Sequence, residues 1–143
     1  MKKFGFTLVE IITVVAIISI LSIASFSVYT IWQNKNKVFV AREIIVQSLS
    51  EARQRAVAGS GDSNWGIKYE TGRVVLFSGL NYLERDASKD INFDLPSGII
   101  LNNLDEVTFY KFTGLPVNKP TIIINYGNET QEITISPIGV FGN

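Results

Sequence analysis

Three hydrophobic rhythms follow one another along this 143-residue chain. From Ile11 to Trp32 apolar residues are nearly continuous, with no charged side chain between Glu10 and Lys35. From Val38 onward they recur at spacings of three and four, at Val38, Ala41, Ile45, Leu49, Ala52 and Ala56. Past Gly61 they fall into short runs, some alternating with polar residues, bounded by Gly, Pro, Asn and Asp. The second rhythm has the period of an amphipathic helix and the third that of strands. No proline interrupts Phe6 through Ala58, and Gly59 with Gly61 supplies a stop, so the pattern predicts one helix of about fifty residues. Glu51 and Arg55 form an i,i+4 pair on its expected wet face.

The strand runs can be placed one by one. WGIKY and RVVLF flank ETG as a hairpin, INFDL and GIIL are separated by Pro96 and Ser97, and VTFYKF leads into the turn TGLP. TIIINY meets TQEITIS across Gly127, Asn128 and Glu129, with Ile133 and Ile135 alternating against Glu132, Thr134 and Ser136 as in a half-buried strand. Six or seven short strands after one long helix predict an α+β chain. Its long N-terminal helix, one half membrane-spanning and the other amphipathic, packs on a small antiparallel two-sheet β-sandwich.

The head of the helix sets the compartment. Sixteen of the twenty-two residues from Ile11 to Trp32 are Ile, Val, Leu, Ala, Phe, Tyr or Trp. As a helix that stretch is about 33 Å long, enough to cross a bilayer core of about 30 Å. Tyr29 and Trp32 near its far end suit the interface, and Lys2 and Lys3 orient the start toward the cytoplasm. The run is too long for a cleaved secretory signal and has no Ala-x-Ala site at its end. Glu10 at its lip is then the anomaly: a carboxylate there costs about 2.5–3.5 kcal/mol on insertion scales, and something must offset it.

Composition narrows the chemistry. The chain has neither histidine nor cysteine, which removes His-based acid–base catalysis, disulfides, thiolate chemistry and the common zinc sets. With 13 basic and 13 acidic residues overall, it does not attract nucleic acid by net charge. No cofactor is expected. Carboxylates that an enzyme would need are Asp86 with Asp90, in a polar loop, and Asp105 with Glu106, whose adjacent side chains should point apart. Asp62 with Asn64, or Asn102, Asn103 and Asp105, carry calcium-ligand chemistry without a recognisable ligand loop. The expectation is of a protein that is not an enzyme and has no metal site. Lys35, Lys37 and Arg42 read as a solvated or snorkelling face.

The segment KKFGFTLVE, with Gly5, Phe6, Thr7 and Glu10 ahead of an uninterrupted apolar run, resembles the class III signal of type IV pilins and type II secretion pseudopilins. The resemblance implies a pilin fold divided into a leader 1–5, a transmembrane half-helix 6–34, an amphipathic half-helix 35–58 and a β-rich domain 62–143. It implies cleavage by a prepilin peptidase between Gly5 and Phe6 and N-methylation of Phe6. Glu10, with Thr7, is then assigned to assembly, the glutamate pairing with the N-terminal ammonium of a neighbouring subunit. Such a pair would offset the cost of the carboxylate and penalise a wrong register. Many relatives carry a proline in the membrane half, whereas Leu21 to Val28 here has only Ser22, Ser25 and Ser27 to soften it.

Ala52-Arg53, the phrase FTGLP from Phe112 to Pro116, and Gly139 resemble the GspH/FimT group of minor pilins and pseudopilins. As residues, they are read as a helix face, a turn and a last strand. The group implies a minor filament subunit whose partners are other minor subunits and the major pilin, inserted once in the bacterial inner membrane with its domain outside the cytoplasm. Two rivals stand beside it. One is a DNA-binding minor pilin, for which Tyr110-Lys111-Phe112 could stack on single strands, although strand-core packing is the simpler account and no Lys or Arg follows Lys119. The other is a single-pass anchored binding domain that never polymerises.

Overall fold

A computed structural model describes Gly5, residues 7–139 and residues 141–142, with the side chains of residues 23–28 outside that description. The chain divides into two compact units, Met1–Asn34 and Lys35–Asn143. Helix α1 runs from Leu8 to Val57 and contributes to both.

In the first unit the helix is apolar all round, and its large side chains, among them Val9, Ile12, Val15, Ile18 and Leu21, are exposed. Three of its described hydroxyls are turned back on their own helix: Thr13 donates to the Val9 carbonyl, Ser19 to Val15 and Ser22 to Ile18. Each of these three hydroxyls is thereby satisfied without water, as an apolar environment demands. Ser22 thus makes a back-bond within continuous helix; Ser25 and Ser27 fall among the side chains outside the description. Among the described residues no helix is long and apolar enough to cross a membrane. The transmembrane half expected over 6–34 is therefore not shown by the fold.

In the second unit the helix presents the expected stripe. Val38, Ala41, Ile45, Leu49, Ala52 and Ala56 are all buried, and Ser48 joins them by bonding its hydroxyl to the Ile45 carbonyl. The stripe packs on two four-stranded antiparallel sheets. The strands are β1 (Trp65–Glu70), β2 (Arg73–Ser78), β3 (Ile91–Asp94), β4 (Ile100–Asn102), β5 (Glu106–Phe109), β6 (Thr121–Tyr126), β7 (Glu129–Ile135) and β8 (Phe141–Gly142). The first sheet has the order β3-β2-β1-β5 and the second β4-β6-β7-β8. Ile67 and Leu76 of the first sheet and Ile122, Ile124 and Ile133 of the second share one core with the helix. Two tight hairpins fix the register, with Glu70 opposite Arg73 and Tyr126 opposite Glu129.

Strand β2 of the first sheet is buried on both faces from Val74 to Ser78. Val75 and Phe77 lie outside the core shared with the helix yet are buried, and Tyr82 in the segment after β2 lies against Phe77. The Tyr82 ring meets Phe77 edge-on, at 5.5 Å between centroids. Phe77 in turn covers Gly66, its direct cross-strand partner, where an added Cβ would lie 2.7 Å from the ring and 2.6 Å from the Val107 carbonyl oxygen. The aromatic ring fills the space that the glycine leaves.

Three details depart from expectation. Strand β5 ends at Phe109 instead of running through Phe112, because Lys111 to Thr113 make a turn with Phe112 at φ 66°. Tyr110 and Phe112 are consequently exposed rather than strand core, which corrects the simpler account of that aromatic pair. The chain also gains β8, two residues long, and two short 3-10 turns at Ser60–Asp62 and Ala87–Lys89.

Candidate functional site

Two places bring together residues that sequence patterns singled out. The first is the start of α1. Gly5 is exposed and non-helical, with open space around it, while Phe6 lies outside the described residues. Thr7 and Glu10 hold each other: the Glu10 N–H donates to the Thr7 hydroxyl at 3.3 Å, and the Thr7 N–H reaches a Glu10 carboxylate oxygen at 3.5 Å. This is a capping box, which satisfies two of the orphan donors of a helix start. The pattern Thr-x-x-Glu was readable in the sequence, but its meaning was hidden behind the charge. The carboxylate sits where the partial positive end of the helix favours an anion, and it is exposed, so a second donor can reach it.

The second place is the end of α1. The Arg53 guanidinium donates from Nε to the Gly114 carbonyl at 3.3 Å and from Nη2 to the Ile138 carbonyl at 3.2 Å. Gly114 (φ 62°) packs so closely that an added Cβ would lie 2.4 Å from Val57 Cγ2. At Gly139 (φ 74°) an added Cβ would lie 2.7 Å from Arg53 Nε and 2.9 Å from the Gly114 oxygen. Only glycine fits these two left-handed, crowded positions. Arg53, the FTGLP turn and Gly139 are thus three views of one clasp. It ties the helix to the turn after β5 and to the approach to β8. Phe112 joins it, donating its N–H to the Ala56 carbonyl at 2.8 Å and so capping the helix end.

Other cations reinforce the attachment of the helix. Lys37 donates to the Tyr126 hydroxyl at 2.7 Å and lies 4.4 Å from that ring's centre, so it is bound, not solvated as expected. Arg55 pairs with Glu51 at 2.6 Å and stacks over Trp65 at 4.8 Å; the expected surface pair is half-buried. Lys35 is exposed, and Arg42 pairs with Glu43 at 3.1 Å.

The carboxylates considered for catalysis or calcium are spread over separate partners. Asp62 pairs with Lys111 at 2.7 Å, and Asn64 accepts the Lys111 N–H at 2.8 Å, so an ammonium sits where a metal would be sought. Asp105 pairs with Lys68, Asp90 with Arg85 at 2.8 Å, and Glu106 accepts the Tyr82 N–H at 3.2 Å. Asn102 and Asn103 are exposed, Asn103 at φ 61°. Among the described residues no group of three or more acidic side chains is placed to hold a metal ion.

The loop covering the outer sheet face depends on ionised carboxylates. Hydrogen bonds from Ser88, then Lys89, hold the Asp86 carboxyl down at about 2, and the Tyr82 hydroxyl, then Arg73, hold Glu70 below its ordinary range. Both values fall on folding, so both groups stabilise the loop above the ordinary carboxylate range of about 4. That contribution disappears as pH falls through the folded values. Lowering the pH from about 4 to about 2 is therefore expected to reduce amide protection, relative to the unfolded chain at the same pH, over residues 79–90 before it does so at Leu76 or Ile122. Protection that falls together in loop and core would refute the loop's separate dependence on these groups.

Residues 1–26 match the family described as the prokaryotic N-terminal methylation motif. The match supports a type IV pilin-like protein, a subunit of a pilus or pseudopilus. A motif of this type implies processing by a prepilin peptidase, membrane anchoring, and assembly with other pilins. No curated protein and no solved structure matches the chain.

Proposed function

We propose that the chain is a minor structural subunit of a type IV pilus or type II secretion pseudopilus, with no catalytic role. The carrying observation is the methylation motif over residues 1–26, which overlaps the start of a 50-residue helix at Leu8. In this reading residues 6–34 span the inner membrane once, and the domain beyond Lys35 stands outside the cytoplasm. A prepilin peptidase cuts between Gly5 and Phe6, and Phe6 is methylated. Gly5 supports this, since it lies exposed and non-helical just ahead of α1, where a peptidase needs an extended chain. The exposed apolar head then leaves lipid for a bundle of like helices, with satisfied hydroxyls and close packing as its cohesion. Glu10 meets the ammonium of a neighbour as it enters.

The minor position, in the manner of the GspH/FimT group, draws support from Arg53, Gly114 and Gly139. Residues that suggested the likeness meet at one clasp although 86 positions separate the first from the last. The proposed partners are other minor subunits and the major pilin. The test is the intact mass of the full chain coexpressed with and without a prepilin peptidase. Loss of Met1 through Gly5 with gain of one methyl, only when the peptidase is present, is the expected result. An uncut chain, or one cut beyond Trp32, would overturn the proposal in favour of an anchored or secreted β-domain.

A further inference from the structure

We infer that Asn128, at the tip of the hairpin joining β6 to β7, is an acceptor for N-linked glycosylation. The inference rests on the filament reading only in placing the globular unit outside the cytoplasm. Of the chain's asparagines, Asn128 alone is followed two residues later by Ser or Thr, in Asn128-Glu129-Thr130, with no proline between. That pattern is the acceptor sequence for transfer of an oligosaccharide to an amide nitrogen, and it belongs to surface segments of exported proteins.

The fold presents the pattern to solvent. Tyr126 pairs with Glu129, which leaves Gly127 and Asn128 as a two-residue turn. Gly127 takes φ 57° with open space around it, and Asn128 and Thr130 are both exposed. The side-chain amides of Asn64, Asn81, Asn118 and Asn125 are each held by a hydrogen bond. That of Asn128 makes none among the described residues, so its Nδ2 is unengaged. The Thr130 hydroxyl donates to Asn125 Oδ1 across the hairpin at 2.8 Å, an exposed bond that water or a transferase can replace.

The turn also lies at the end of the unit that a membrane enzyme meets first. Lys37 donates to the Tyr126 hydroxyl at 2.7 Å, which pins the hairpin beside the helix just after Lys35, where the unit begins. In the filament reading the span 6–34 ends directly before that residue. The donor for such a transfer is an oligosaccharide carried on a lipid diphosphate, and it is presented at the bilayer surface. Donor and acceptor therefore meet at the same end of the unit.

The transfer balances without a redox partner. Nδ2 of Asn128 attacks the anomeric carbon of the donor, and the new N–C bond forms as the C–O bond to the diphosphate breaks. The lipid diphosphate leaves with the electron pair, and the amide proton passes to a base of the transferase. Thr130 is a positioning residue: its hydroxyl is what the transferase recognises, while its oxygen takes no sugar.

The test is intact mass and peptide mapping of the full chain purified from its own host. A glycan increment located on Asn128 is the expected result. Asn128→Gln and Thr130→Val are each expected to abolish it and Thr130→Ser to keep it, with leader cleavage unchanged. A chain cut after Gly5 and methylated, but without the increment, would overturn the inference and leave the filament reading intact. An increment on Thr130, or one on Asn128 that survives Thr130→Val, would also overturn it. An uncut chain with the increment on Asn128 would support the inference and overturn the filament reading. An uncut chain without it would overturn both.

Discussion

Glu10→Ala is expected to keep the chain out of filaments while leaving its folding and its leader cleavage intact. The second unit has its own core, built from the helix stripe and two sheets, and Glu10 takes no part in it. At the helix start the substitution removes a capping-box partner, a loss of about 1 kcal/mol. In the proposed bundle of apolar helices the loss should be larger, because the neighbour's ammonium would be left buried without a counter-charge, at about 3–5 kcal/mol. That corresponds to at least a hundredfold loss of incorporation. Glu10→Gln and Thr7→Val separate the two roles. Glutamine still accepts the Thr7 N–H but carries no charge, so it should fail nearly as badly as alanine. Valine at position 7 removes the capping hydroxyl but keeps the charge, so it should assemble at a modest discount. The readout is the fraction of cleaved chain recovered in sheared filaments. Should Glu10→Gln assemble normally, the glutamate serves its own helix and not its neighbour.

The proposal and the fold were legible in the sequence to different depths, for physical reasons. The stripe from Val38 to Ala56 could be read because every third or fourth residue of a helix returns to one face, and all six of its members are buried. The tight turns at Thr71-Gly72 and Gly127-Asn128 could be read because a two-residue hairpin asks for positive φ, which glycine adopts freely. The turn at Phe112 could not. Tyr110-Lys111-Phe112 alternates like a strand, and what bends it is a hydrogen bond to Ala56, 56 residues earlier. Strand β8 is two residues long and carries no period at all. At the candidate site, Thr7 and Glu10 stood three residues apart in plain view. Arg53, Gly114 and Gly139 were noticed separately, but only tertiary structure shows that one guanidinium joins them.

That junction gives the largest effect expected on stability. Gly139→Ala is expected to destabilise the globular unit by about 2–4 kcal/mol. Roughly 1–2 kcal/mol arises from a left-handed residue with a Cβ, and the rest from displacing charge-assisted hydrogen bonds. The added methyl would meet Arg53 Nε at 2.7 Å and the Gly114 oxygen at 2.9 Å; the arginine can move, but the backbone oxygen moves only if the turn does. Arg53→Ala alone should cost about 1–2 kcal/mol, since both carbonyls can recover partners from water at this half-exposed site. The double variant distinguishes a clasp from two unrelated defects. With the arginine gone, the new methyl has room on one side, so Gly139→Ala should cost less in that background, with a coupling of about 1 kcal/mol. Thermal unfolding of the full chain in detergent measures this, at about 4–8 °C per kcal/mol for a unit of this size. If the two losses simply add, Arg53 and Gly139 are neighbours without being parts of one device. Coupling would mean that the last strand is held on the helix by the same side chain that fixes the turn before it.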